Sequence, residues 1–391
     1  MENTIITNLI YGLSAVLCAA LLTYALTPPV RVLAFLIGAV DVPTDERRMH
    51  MKPTPRIGGL AIFCGFALSA LVFGQMNSSL VAVLIGGVIM VALGILDDIY
   101  NLKPIIKLAA QIVAAGVAVY FGVVIDHITL FGKLVEFGAF SIPITLLWIV
   151  GLTNAINLLD GLDGLACGVS AIMSLSIFGV VLIHGDYTSA LLTALLAASC
   201  LGFLPFNTNP ARIFMGDTGS QFLGYALAVI SVQGVFKLHA VLSFVAPLML
   251  FALPLADTMF AIFRRIRNGE SPFSADRKHL HHKLVDMGFT QKEAVRILYA
   301  VCGILGLVAI TFTEDMFSQG KWVKSIIVGT CAIVVFALNY IIMKKTSTRV
   351  LSGLTDHGYS PIKKEELEKE KDAENKPTDV KASDGNVTDA K

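Results

Sequence analysis

Apolar runs dominate the chain. Stretches long enough to lie in a bilayer recur at about 5–27, 57–74, 80–96, 105–122, 141–157, 165–183, 188–204, 220–236, 240–262, 296–313 and 322–343. A membrane-crossing helix needs roughly 20 apolar residues, so the pattern predicts an all-α, polytopic membrane protein of eleven spans. Residues 123–140, rich in β-branched and aromatic types around Gly132-Lys133, predict a small hairpin on the outer side. Beyond residue 345 the pattern ends. Residues 1–345 read as one membrane-embedded domain, and 346–391 as a charged, largely disordered cytoplasmic tail.

Composition agrees with the pattern. Hydrophobic residues make up 55% of the 391 and charged ones 15%, against about 25% charged in soluble domains. The N-terminal run lacks the basic start of a cleavable signal, since its first cation is Arg31, so it reads as a retained span. Loops after odd-numbered spans carry sixteen Lys and Arg, and loops after even-numbered spans carry four. The positive-inside rule then places the odd-side loops and the C-terminus in the cytoplasm, with the N-terminus outside. A formal net charge of +1 gives no reason to expect nucleic acid. The six cysteines are scattered through apolar runs without a C-x-x-C pair, which suggests neither a disulfide framework nor a zinc site. Phosphate-cradling and dinucleotide-binding glycine motifs are both absent from the sequence.

The polar motifs all fall on the odd side. DERRMHMKPTPR follows the first span, Asp97-Asp98 the third, and NAINLLDGLDG the fifth. FNTNPARIFMGDTGS follows the seventh and SADRKHLHHKL the ninth. A helix C-terminus disfavours anions, so the paired Asp97 and Asp98 require a cation or a metal. Asp217, between glycines, suits either a hard oxygen-ligated cation such as Mg²⁺ or an N-cap opening the eighth span. Asn157, Asp160 and Asp163 are spaced by threes and could present one face to a base or sugar, or simply serve a D-G-x-D-G turn. Phe214 could stack on a flat ring. His279, His281 and His282 lie among cations, which favours phosphate over a transition metal.

Together these motifs resemble the polyprenyl-phosphate N-acetylhexosamine-1-phosphate transferases. The resemblance rests on GILDD, NAINLLDGLDGL, FMGDTGS, ADRKHLHHKL and PRIGGLAIF, in order, over about 40–300. It implies transfer of a sugar 1-phosphate from a UDP-sugar to undecaprenyl phosphate at the inner leaflet of the bacterial cytoplasmic membrane. UMP leaves, and Mg²⁺ is required, with Mn²⁺ as a substitute. One branch uses UDP-N-acetylmuramoyl-pentapeptide and carries three consecutive histidines. Here Leu280 interrupts the run, which is similar to the branch that uses UDP-N-acetylglucosamine to begin teichoic acid, O-antigen or similar glycans. The resemblance makes Asp97, Asp98 and His279 catalytic and Asp217 the metal ligand. It assigns the nucleotide-sugar to Asn157, Asp160, Asp163, Asn207 and Phe214, and phosphates to Lys52, Lys107, Arg277, His281 and His282. It is compatible with a homodimer. The competing reading from another class is an ion-coupled transporter, for which intramembrane acids are common but an inverted repeat is missing here.

Overall fold

The computed structural model describes residues 2–42, 53–130, 133–236, 245–269 and 279–313. Lys52, Arg277, the run at 322–343 and the tail lie outside them. The described residues belong to one compact unit and are mostly helical. In chain order the long elements are α1 (Glu2–Leu36), α2 (Gly59–Phe73), α3 (Ser78–Tyr100) and α4 (Pro104–Tyr120). There follow α5 (Ser141–Leu159), α6 (Leu165–Ile183), α7 (Tyr187–Asn207) and α8 (Gly216–Gly234). The chain then forms α9 (Val245–Leu250), α10 (Ala252–Arg267), α11 (Leu280–Asp286) and α12 (Gln291–Thr313). Six of these helices are long and apolar enough to cross a membrane, within α1, α3, α5, α6, α7 and α12, and α2 and α4 are shorter apolar helices. The protein is therefore a multi-pass membrane protein.

The expected hairpin is present. Strands β3 (His127–Leu130) and β4 (Lys133–Glu136) pair antiparallel, with His127 opposite Glu136. A second, shorter ladder joins β1 (Val40–Asp41) to β2 (Thr54–Pro55) and brings the end of the basic segment back to the bundle. The expectation of a single span at 240–262 is corrected. The segment breaks at Phe251 into α9 and α10. Pro254 explains the break, because it lacks an N–H and its ring would clash with the carbonyl four residues back, that of Leu250. Past the break, α10 carries Asp257, Arg264, Arg265 and Arg267, with Met259, Phe260 and Phe263 exposed.

Helix α8 is the centre of the bundle. Of its nineteen residues only Asp217 and Gln233 are not buried. Glycines let its neighbours approach at backbone distance. A Cβ on Gly94 of α3 would lie 2.2 Å from the Thr218 Cα, and one on Gly59 of α2 would lie 2.1 Å from the Gly219 Cα. On the third side, a Cβ on Gly224 would meet the Thr153 Cα of α5 at 2.6 Å. Small residues at such crossings are how membrane helices gain packing without a hydrophobic drive.

These crossings hold the start of α8 in place. Gly94→Val should lower the thermal midpoint of the detergent-purified protein, with overpacking costing about 1–3 kcal/mol. Gly116→Ala, on α4 where a Cβ meets nothing within 4 Å, should leave the midpoint unchanged or raise it.

Candidate active site

Helices α3, α5 and α7 end, and α4, α6 and α8 begin, at one level of the bundle. The polar motifs meet there. Asp97 and Asp98 occupy the last turn of α3 and are buried, at 3% and 5% exposure. The Asp98 carboxylate accepts the backbone N–H groups of Asp217 and Thr218, each at 3.0 Å, and the Thr218 hydroxyl at 2.7 Å. It therefore caps α8 from another helix, where the positive end of the helix dipole favours an anion. Arg56 adds a guanidinium contact at 3.5 Å. The compensation that the paired acids demanded comes from this helix terminus and from two cations.

The cap depends on Gly216. Its φ of +71° is one that L side chains rarely adopt, and a Cβ there would fall 1.7 Å from the Arg56 carbonyl oxygen. Around it the chain is clipped by backbone bonds: Phe214 N–H to Pro55, Gly58 N–H to Phe214, and Gly59 N–H to Met215. The sequence motifs PRIGG and MGDTGS are thus one structural unit.

With Asp98 serving as the cap, the alternative in which Asp217 is itself the N-cap is corrected. The N-cap position is Met215, which makes no side-chain bond, and Asp217 lies inside the first turn. Its carboxylate turns outward. Oδ1 accepts from Asn157 Nδ2 at 2.8 Å, and Oδ2 accepts from Lys107 Nζ at 2.8 Å. Lys107 Nζ also pairs with Asp97 Oδ2. Carboxylates from α3 and α8 thereby converge on one ammonium group of α4. Two carboxylates facing a common cation are a hard-oxygen donor set of the kind that binds Mg²⁺ together with substrate phosphates and water. Among the described residues no group of three or more His, Cys, Asp or Glu forms a full metal cage. An Mg²⁺ ion completed by substrate phosphates does not need one, so the residues fit.

The remaining predicted residues have distinct surroundings. Asp163 accepts from Asn209 Nδ2 and Ala211 N–H, and Asn207 Nδ2 donates to the Ile213 carbonyl. Both brace the turn between α7 and α8. Phe214 is half-buried beside that turn. Asp160 closes α5, and burial pushes its carboxyl up to about 7; the Asp98 charge adds to the rise, Arg56 opposes it, and Asp163 adds further. His279 is buried, and its Nδ1 lies 2.9 Å from Asp257 Oδ2, while Asp257 Oδ1 takes the Leu280 N–H that opens α11. His281 is buried against Gly161 and stacked on His279, with parallel rings 5.8 Å apart. Burial, with the neighbouring His282 and His279, lowers its pKa to about 4, although Asp257 pulls the other way. At neutral pH this shift favours the uncharged imidazole of His281. His282 is half-buried beside it, with ring centroids 4.3 Å apart.

Several site residues escaped the sequence reading. Arg56 was visible only as one of many basic residues. Asp257 carried a usable signal, an ionisable residue inside an apolar run. Gln111 and Gln221, discussed below, carried none.

Apolar helices that gather Asp97, Asp98, Lys107 and Asp217 at one end of the bundle define a polytopic membrane protein with a polar site. The description glycosyl transferase family 4 matches residues 80–235, and over most of its length the chain aligns with named members. A probable undecaprenyl-phosphate N-acetylglucosaminyl 1-phosphate transferase of Bacillus subtilis is 38% identical over 90% of this chain and 94% of its own. A decaprenyl-phosphate N-acetylglucosaminephosphotransferase of Mycobacterium tuberculosis is 37% identical over 81% and 85%. An undecaprenyl-phosphate alpha-N-acetylglucosaminyl 1-phosphate transferase of Escherichia coli is 28% identical over 76% and 82%. The chain belongs to glycosyl transferase family 4 and is a transferase.

Asp160 and His281 give stability opposite pH dependences. Asp160 binds its proton more tightly folded than unfolded, where its pKa is about 3.9, so its contribution is lost as pH rises from about 4 through 7. His281 binds its proton less tightly folded, so its contribution is lost as pH falls from about 6.5 through about 4. Melting of Asp160→Asn in detergent should show an advantage over the parent that grows between pH 5 and 8. A pH-independent difference would contradict the assignment.

Proposed function

We propose that the protein transfers N-acetylglucosamine 1-phosphate from UDP-N-acetylglucosamine to undecaprenyl phosphate, giving the lipid-diphosphate sugar and UMP. The observation that carries this reading is the convergence of Asp97, Lys107 and Asp217 on one point at the helix ends. A lipid phosphate held in the bilayer and a water-borne nucleotide sugar can meet there. The names of the relatives support the donor and the lipid, and Leu280 within HLHH supports the same donor over UDP-N-acetylmuramoyl-pentapeptide. The excess of basic residues on this side supports a cytoplasm-facing site in a bacterial inner membrane. The reaction would be the first membrane step of a surface glycan such as teichoic acid or O-antigen. The clustering at one end argues against a transporter, whose sites lie near the midplane.

A terminal oxygen of the lipid phosphate attacks the β-phosphorus of the donor. The new P–O bond forms as the bond to the bridging oxygen breaks, and the electron pair leaves with UMP. Phosphoryl transfer of this kind depends on positioning and charge stabilisation. Asp97 and Asp217 would hold Mg²⁺, which when bound supplies neutralisation of the diphosphate charge. Lys107 and Arg56 bring further positive charge to the same place. Asp98 keeps the α8 terminus fixed, and Asn157 aims the Asp217 carboxylate. His279, oriented by Asp257, stands at the edge as a polar contact for the donor. The acceptor needs little help from a base, because a phosphate monoester has its second pKa near 6.

Detergent-purified protein with undecaprenyl phosphate and Mg²⁺ should release UMP from UDP-N-acetylglucosamine and not from UDP-N-acetylmuramoyl-pentapeptide. Asp217→Ala should reduce the rate roughly a hundredfold or more. Release from the pentapeptide donor alone would overturn the sugar assignment, and silence with both would overturn the reaction. Asp97→Asn should lose activity at pH 7 and pH 9 alike, with a weaker response to Mg²⁺. Recovery at pH 9 would instead make Asp97 the base.

A further inference from the structure

The chain of side chains Lys107–Asp217–Asn157 has a neutral counterpart one turn deeper. Lys107 and Gln111 are four residues apart on α4, Asp217 and Gln221 are four apart on α8, and Asn157 and Asn154 are three apart on α5. Such spacings put each pair on one helix face. The deeper three are also joined to one another, but through Gln111 on α4, where Asp217 on α8 is the shared partner above. Gln111 Nε2 donates to Gln221 Oε1 at 2.8 Å and to Asn154 Oδ1 at 3.2 Å. Asn154 Nδ2 donates back to Gln111 Oε1 at 2.7 Å and to the Val150 carbonyl at 2.8 Å. Gln111 and Gln221 are 2% and 1% exposed. Gln221 Nε2 is buried with no acceptor among the described residues.

We infer that Gln111, Asn154 and Gln221 are positioning residues that set the register of α4, α5 and α8, so that Lys107, Asp217 and Asn157 meet in the charged layer above. Hydrogen bonds between helices in a membrane add little net stability. An unpaired amide such as Gln221 Nε2 is a cost. Stability alone would favour apolar side chains at these three places. Hydrogen bonds are directional, however, and an apolar layer lets helices slide or rotate by fractions of an ångström. Gln111 is the hub, because it bonds to both of the other helices. Its own helix carries Lys107, the cation that Asp97 and Asp217 share. A shift of α4 would part that cation from one carboxylate or the other.

The inference deepens the proposed transferase activity, but its main test does not depend on that activity. In the triple variant Gln111→Leu, Asn154→Leu, Gln221→Met no amide is left unpaired, so its melting temperature should match or exceed that of the parent. Lys107 should nevertheless be exposed by the loss of register. Competitive labelling with acetic anhydride, read by mass spectrometry, measures this against Lys103, which is exposed at the N-cap of α4. The Lys107 to Lys103 labelling ratio should rise about fivefold, and kcat for UMP release should fall about tenfold or more with KM for the donor nearly unchanged, as expected of misplacement. A packing role alone would leave the labelling ratio where it was. If the triple variant does not fold, Gln221→Met decides: it keeps the reciprocal Gln111–Asn154 pair but unties α4 from α8, and the ratio should rise about twofold, a smaller misplacement. An unchanged ratio in a folded variant overturns the inference. A parent that releases no UMP overturns the proposed function and leaves the labelling result to decide this one.

Discussion

The arrangement of the site depends on one capping interaction. The Asp98 carboxylate, buried at the end of α3, takes the first N–H groups of α8. A buried carboxylate is costly unless its lone pairs are filled, and the open N-terminus of a buried helix is costly unless its N–H groups are. Each solves the other's problem. The consequence is geometric. With the cap supplied from α3, Asp217 is released from the role its position suggests, and its side chain is free to turn to Lys107 and Asn157. Gly216 is required for the same reason, since only a residue without Cβ can make the turn against the Arg56 carbonyl.

Charge balance follows from that cap. Asp97, Asp98 and Asp217 face Lys107 and Arg56, so the cluster carries one more negative than positive formal charge. In the proposed reaction that excess negative charge would favour a hard cation bound together with substrate phosphates. The neutral amide layer beneath adds no charge to this balance. It can therefore hold the helices in register without altering the electrostatics of the chemistry above it.

Much of this was legible in the sequence, and the reasons for the rest are physical. Apolar runs marked the helices because lipid imposes a length. The β-branched stretch around Gly132-Lys133 marked the β3–β4 hairpin. Asp97, Asp98 and Asp217 stood out because carboxylates at helix ends demand explanation. The break at Phe251 was hidden by hydropathy, which averages over a window and does not see the bond Pro254 removes. The Asp98 cap was hidden because its partners lie about 120 residues away, and a local rule assigned the cap to Asp217. Gln111 and Gln221 were hidden because one amide in an apolar helix is common, and only the packing of three helices shows that they align. Asp257 sits between these cases, an acid in an apolar run whose partner His279 follows 22 residues later.

The motif DGLDG shows how one residue type serves two purposes within five positions. Gly164, with φ of +79°, is the residue that the turn into α6 requires. Gly161 has no such φ. A Cβ there would fall 2.1 Å from His281 Nε2, so its role is to let a histidine close in on the backbone. By sequence, turn chemistry was the alternative to ligand binding for this motif. The contact at Gly161 means that the HLHH segment is seated on the Asp160 loop. Burial raises the Asp160 pKa to about 7 and lowers that of His281 to about 4, so each shift favours the uncharged form at such a seam. The charged work is left to the layer around Lys107.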